Sequence, residues 1–71
     1  MSHVAQEKLI EYIKTNQNKL YKVAFTYTRN EEAALDAIQE AITKALENIE
    51  KLKKEEYVNT WFYRILINEA L

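Results

Sequence analysis

Three residue types are missing from this chain of 71 residues, which contains no cysteine, no proline and no glycine. Without cysteine no disulfide can stabilise a small fold, and such a composition suits the reducing cytoplasm. Without proline and glycine the chain lacks the residues that most often form tight turns and hairpins. These absences favour a helical protein, which we expect to be cytoplasmic.

Long apolar runs and a surplus of positive charge are missing as well. No apolar run approaches the roughly 20 residues that cross a bilayer, and the start MSHVAQEKL lacks the basic flank and apolar centre of a signal peptide. The formal net charge is −1 at pH 7, which argues against nucleic-acid binding through bulk electrostatics. We predict no membrane insertion, and any contact with DNA has to come from a local group of residues.

Motifs that carry chemistry are also absent. The sequence has no nucleophile motif, no glycine-rich phosphate loop and no cluster of metal ligands. Carboxylates do recur four residues apart, but no histidine or cysteine accompanies them. We therefore predict no catalysis, no metal site and no cofactor.

Apolar residues recur at helical spacing along most of the chain. We predict four helices, near residues 4–15, 18–28, 31–49 and 57–71. The polar cluster TNQN separates the first two helices, and Asn30 is placed to cap the third. The charged stretch EKLKKEE forms the last connection. Residues 1–71 are thus expected to form one all-α domain.

The third predicted helix has two contrasting sides. Its apolar residues are expected to be buried in one row: Leu35, Ile38, Ile42, Ala45, Leu46 and Ile49. The other side is acidic and polar: Glu32, Asp36, Gln39, Glu40, Thr43 and Glu47. A solvated face is the simplest interpretation, and a docking surface for a basic partner is the alternative. Glu40 and Lys44, four residues apart, are expected to pair.

The last predicted helix combines a core side with an unusual outer side. The core side consists of Val58, Trp61, Phe62, Ile65 and Leu66. The outer side consists of Thr60, Tyr63, Arg64, Ile67, Asn68 and Leu71. Aromatic rings beside an arginine suit unpaired bases and phosphates. A protein partner fits equally well, and so does a covering segment of a longer protein.

Two stretches together carry a family resemblance. LYKVAFTYTRNEEAALDAIQEAITKALENI followed by TWFYRILINEAL resembles region 2 of bacterial sigma factors, particularly the extracytoplasmic-function group. The likeness covers about Leu20 to Leu71. Asp36, Gln39 and Glu40 within DAIQEA, then Lys44-Ala45, match region 2.2; Thr60-Trp61, Tyr63-Arg64-Ile65 and Asn68 match regions 2.3 and 2.4. The specificity lies in the conjunction of the two motifs.

The resemblance implies a small orthogonal bundle of about four helices with two binding surfaces. One surface docks on the clamp helices of the RNA polymerase beta-prime subunit, and the residues that match are Asp36, Gln39, Glu40 and Thr43. The other reads the melted minus-ten promoter element on the non-template strand, and its residues are Lys53, Lys54, Tyr57, Trp61, Tyr63, Arg64 and Asn68. Trp61 either supports the DNA wedge or packs inward. An anti-sigma factor is the implied second protein partner.

The chain also departs from the family pattern. The family usually continues with a basic run and often has arginine where Ile67 stands, and its second domain, which reads the minus-thirty-five element, is absent from this chain. We therefore expect a region 2 piece of a larger sigma factor. The leading alternative is a helical protein-interaction module that uses Tyr63, Ile67 and Leu71 as a hydrophobic docking patch. A weaker alternative is a structural fragment whose exposed side is a cut interface.

Overall fold

The computed structural model describes residues 2–71, and these residues form four α-helices. The helices are α1 (Ser2–Thr15), α2 (Gln17–Thr28), α3 (Glu31–Asn48) and α4 (Val58–Ala70). Two 3-10 turns, Ile49–Lys51 and Glu55–Tyr57, lie in the α3–α4 connection, and no strand occurs in the described chain. The predicted all-α class with about four helices is confirmed. None of the described helices has the length and apolar character needed to span a membrane.

A single residue, Asn16, separates α1 from α2. Its side-chain amide donates a hydrogen bond to the carbonyl oxygen of Tyr12 at 2.9 Å. The hydroxyl of Thr15 donates to the carbonyl oxygen of Glu11 at 2.9 Å. The Asn16 amide thus satisfies one of the last four carbonyl groups of α1, which have no partner within the helix. The break falls in the predicted TNQN cluster.

The turn between α2 and α3 is made without glycine. Arg29 adopts a left-handed conformation, with φ 58° and ψ 25°, and its N–H donates to the carbonyl oxygen of Phe25 at 2.7 Å. Asn30 then caps α3, since its side-chain oxygen accepts a hydrogen bond from the N–H of Ala33 at 2.8 Å. The predicted cap is confirmed. Glu31 and Glu32 follow in the first turn of α3, where the helix dipole favours negative charge.

Helix α4 is the centre of the core because it packs against each of the other three helices. Its Phe62 and Leu66 are completely buried. The ring of Tyr12 in α1 meets Phe62 edge to face, with ring centroids 6.3 Å apart. Among the described side chains no polar or charged residue is buried. The core therefore depends on apolar burial and shape alone.

Small residues form the buried side of α3. Its buried residues within the helix are Ala34, Ala37, Ala41 and Ala45. By contrast Leu35 is 50% exposed and Leu46 is 41% exposed, so the predicted buried row is wrong at these two positions. Alanine permits close approach of two helix axes, which depends on the side chains between them. Helical spacing alone does not show whether the side with the leucines or the neighbouring side with the alanines is buried.

Ala41 and Leu46 provide a direct test of this orientation of α3. Ala41→Leu is expected to lower the free energy of unfolding by about 1 to 3 kcal/mol, because extra methylene groups overpack a filled core. Leu46→Ala is expected to change it by no more than about 0.5 kcal/mol, as is usual for surface substitutions. Urea unfolding followed by circular dichroism measures both. The opposite order would mean that the bulky row faces inward.

Arg29 provides a test of the turn. Arg29→Gly is expected to raise the free energy of unfolding by up to about 1 kcal/mol, because glycine has no Cβ to oppose a positive φ. The matched control is Lys22→Gly in the exposed middle of α2, where glycine is expected to cost about 1 kcal/mol. The same urea experiment applies. Destabilisation by both substitutions would contradict the left-handed conformation.

Candidate functional site

The exposed side of α3, here called the α3 outer face, carries two adjoining strips. The polar strip consists of Asp36, Gln39, Glu40 and Thr43, all of them exposed. The aliphatic strip consists of Leu35 and Leu46, which are exposed, and Ile42, which is half-buried. Apolar contact area beside directional polar groups is the usual composition of a protein interface. The aliphatic strip was not predicted from the sequence, because helical spacing placed these residues in the core.

A cavity of about 450 Å³ lies between the α3–α4 connection and the first turns of α4. We call it the loop cavity, and its lining residues are Leu52, Tyr57, Thr60, Trp61 and Arg64. It brings together Tyr57, Trp61 and Arg64, which the resemblance had selected for DNA contact. An aromatic wall with a guanidinium and a hydroxyl can stack on a flat ring and donate hydrogen bonds to its edge.

Leu52 and Thr60 complete the loop cavity and were not among the predicted site residues. Thr60 lies one helical turn before Arg64, on the same side of α4. Leu52 is half-buried in an extended part of the connection. The signal that could have identified Leu52 is its position as the one apolar residue within the charged stretch EKLKKEE.

The other predicted DNA residues line three neighbouring grooves, each of which shares one lining residue with the loop cavity. Lys53 and Lys54 line a groove beside the start of α1, together with Val4. Tyr63 is half-buried and lines a cavity of about 360 Å³, whose other lining residues are Tyr12, Lys19, Asn59 and Thr60. Burial raises the pKa of the Tyr12 phenol, and the nearby Tyr63 raises it further. The seven predicted residues are therefore distributed over four adjoining grooves.

Asn68 lies in a second groove, here called the α3–α4 groove, with a volume of about 430 Å³. Its lining residues are Lys44, Asn48, Lys51, Trp61, Ile65, Asn68 and Glu69. Lys44 forms an ion pair across this groove with Glu69 of α4, and the charge of Glu40, its expected partner, acts on it more weakly. The hydrogen bond to Glu69 raises the pKa of the Lys44 ammonium, and the charge of Glu69 adds to the effect. The tertiary contact supplies a closer carboxylate than the helical neighbour does.

Trp61 lies between the loop cavity and the α3–α4 groove and lines both. Its side chain is half-buried, whereas its neighbour Phe62 is completely buried. The expected inward packing of Phe62 is confirmed. Trp61 thus packs in part against the core and borders two accessible spaces with the rest of its side chain.

Within the described chain no group of three or more histidine, cysteine, aspartate or glutamate residues is placed to hold a metal ion. The apolar patch proposed for the alternative protein-interaction module is divided. Leu71 is 82% exposed, but Tyr63 and Ile67 are both half-buried.

Comparison with known proteins identifies the family. The model of the sigma-70 region 2 family matches residues 12–71. The chain belongs to the sigma-70 region 2 family. It is also 38% identical over 63 residues to the RNA polymerase sigma factor SigV of Bacillus subtilis (strain 168). The resemblance to region 2 of the extracytoplasmic-function sigma factors is thus confirmed.

The alignment with SigV covers 89% of this sigma region 2 chain and 38% of the relative. The chain therefore spans less than half of the length of the curated relative it matches. No solved structure matches. The family match begins within α1 and includes the whole of α2, α3 and α4. Every residue of the α3 outer face and of the loop cavity thus lies inside the matched segment.

Neighbouring aromatic residues of α4 allow their structural roles to be separated. Phe62→Ala is expected to lower the free energy of unfolding by about 3 to 5 kcal/mol, because a completely buried ring is lost. Trp61→Ala is expected to lower it by about 1 to 2 kcal/mol, since only part of the ring is removed from water. Urea unfolding measures the difference. Equal losses would mean that Trp61 is as much a core residue as Phe62.

Proposed function

We propose that this sigma region 2 domain acts in transcription initiation by binding RNA polymerase and capturing unpaired bases of the melted promoter. The observation that carries the proposal is the loop cavity, where Tyr57, Trp61 and Arg64 converge in a domain of this family. Aromatic rings beside an arginine are suited to bind an unstacked base. The reaction is non-covalent, and no catalytic group is required.

The minus-ten element on the non-template strand is the proposed DNA ligand. A base in the loop cavity would stack against the Trp61 or Tyr57 ring and meet the hydroxyl and guanidinium of Thr60 and Arg64. Such capture is available to the open strand and not to the paired duplex, so it shifts the equilibrium towards the melted promoter. Promoter melting would thus be favoured without any covalent reaction.

The α3 outer face is the proposed polymerase contact, and the beta-prime clamp helices are its proposed partner. Asp36 and Glu40 supply negative charge for basic residues, and Gln39 supplies directional hydrogen bonds. The exposure of Leu35 and Leu46 supports the same proposal, because the buried core of a protein interface is more apolar than its rim. An anti-sigma factor is proposed to compete for the α3 outer face and the loop cavity. The binding of polymerase and of the anti-sigma factor would take place in the cytoplasm.

Titration calorimetry with an isolated beta-prime clamp-helix fragment tests the polymerase contact. Glu40→Lys is expected to weaken binding about tenfold or more, because it places a positive charge where a basic partner docks. Glu7→Lys makes the same change of charge on exposed α1 and is expected to leave the affinity within about twofold, since it lies outside the proposed contact. Equal effects of the two variants would exclude the α3 outer face.

Trp61 fluorescence tests base capture, because this is the one tryptophan of the chain. A single-stranded oligonucleotide of the minus-ten element is expected to quench it, and Tyr57→Ala is expected to weaken binding by roughly tenfold, as loss of one stacked base contact typically does. Binding should also weaken as salt rises, because phosphate contacts release counterions. Salt-independent binding would instead favour the hydrophobic interaction module.

A further inference from the structure

The α3–α4 groove contains more positive and amide groups than the packing of two helices requires. Two lysines, Lys44 and Lys51, line it together with the side-chain amides of Asn48 and Asn68. The Asn48 amide donates to the carbonyl oxygen of Lys44 at 2.8 Å, which orients that side chain beside the groove. Ammonium and amide groups are hydrogen-bond donors, so the lining is suited to an anion.

The groove already contains one anion, the carboxylate of Glu69. The Glu69 side chain is 19% exposed, whereas the Lys44 side chain that reaches it is 52% exposed. Ion pairs with this much solvent contact contribute little to folding stability. Breaking this ion pair is therefore expected to lower the stability of the fold only slightly.

Trp61 connects this groove to the loop cavity, since its ring borders both. A nucleic-acid strand with a base stacked on one side of Trp61 has its sugar-phosphate chain beside the same residue. The groove is the neighbouring space with lysine donors. Lys44 and Lys51 are therefore placed to meet a backbone phosphate of a strand whose base occupies the loop cavity.

We propose that the α3–α4 groove binds a backbone phosphate of the captured strand, and that Glu69 is an internal competitor which holds Lys44 until the phosphate replaces it. This inference rests on the proposed base capture at the loop cavity and adds a second contact to it. Glu69 lowers the affinity of the free domain for nucleic acid, because the incoming phosphate has to displace a carboxylate. The consequence is that strand binding is restrained while the ion pair is intact.

Glu69→Gln is the variant that tests the inference, because glutamine retains the shape and removes the competing charge. The probe is a labelled single strand with abasic sites, which presents phosphates without bases, measured by fluorescence anisotropy. Glu69→Gln is expected to tighten binding about two- to fivefold, in line with the strength of one exposed charge pair. The slope of log affinity against log salt is expected to stay the same in Glu69→Gln, because Lys44 meets the phosphate in both complexes. In Lys44→Gln it is expected to become shallower by about 0.7, which corresponds to the loss of one phosphate contact on a single strand.

Two control variants separate a local contact from a change of net charge. Glu7→Gln alters the net charge equally but lies on α1, outside the groove lining. It is expected to tighten binding less than Glu69→Gln does. The double variant Lys44→Gln with Glu69→Gln is expected to bind no more tightly than Lys44→Gln alone, because the released lysine is gone. Equal tightening by Glu7→Gln would overturn the inference, and so would tightening by Glu69→Gln when Lys44 is already replaced.

Comparison with Tyr57→Ala distinguishes failure of this inference from failure of base capture. If Tyr57→Ala weakens binding of the normal strand and Glu69→Gln has no effect on the abasic strand, the groove proposal is wrong and base capture stands. If Glu69→Gln acts and Tyr57→Ala does not, base capture is wrong and the groove is a phosphate site by itself. If neither the unmodified domain nor Glu69→Gln binds any strand, both are wrong.

Inorganic phosphate distinguishes the two sources of the anion. The amide signals of Lys44 and Lys51 are followed by nuclear magnetic resonance during titration of Glu69→Gln with phosphate and, separately, with the abasic strand. The strand is expected to shift these signals at a concentration at which inorganic phosphate does not. Saturable shifts with phosphate and none with the strand would overturn the assignment of a backbone phosphate.

Discussion

Close packing of α3 against its neighbours through alanine is the constraint on which the rest of the structure depends. Ala34, Ala37, Ala41 and Ala45 occupy the buried side of α3, and large core side chains such as Phe62 come from the helices around it. Because small residues occupy the inner side, the bulky aliphatic residues Leu35 and Leu46 are left on the outer side. The same choice of residues thus produces the core and the apolar part of the α3 outer face.

Helical periodicity was sufficient to predict the fold class, since four segments with apolar spacing correspond to four helices. The cap at Asn30 was also predictable, because the side chain acts on a backbone group only three residues away. The orientation of α3 was not. Its two apolar rows are close together on the helix, and only the neighbouring helices determine which of them is buried.

The candidate site shows the same division between local and tertiary information. The family motifs selected Tyr57, Trp61 and Arg64, which the fold brings to one cavity, but spacing could not show that Lys53, Tyr63 and Asn68 line three grooves beside it. The partner of Lys44 could not be predicted either, because Glu69 is 25 residues away in the sequence. Long-range contacts of this kind depend on how two helices meet.

The alanine row also has an entropic consequence. A buried leucine loses rotamer freedom when the chain folds, and this loss opposes folding, whereas alanine has no side-chain freedom to lose. The buried side of α3 is therefore ordered at almost no side-chain entropy cost. Since α2 packs on α3 and α3 packs on α4, each on its neighbour in the sequence, many core contacts also close short loops. Domains with such local contacts typically fold within microseconds to milliseconds, and we expect this domain to fold in that range.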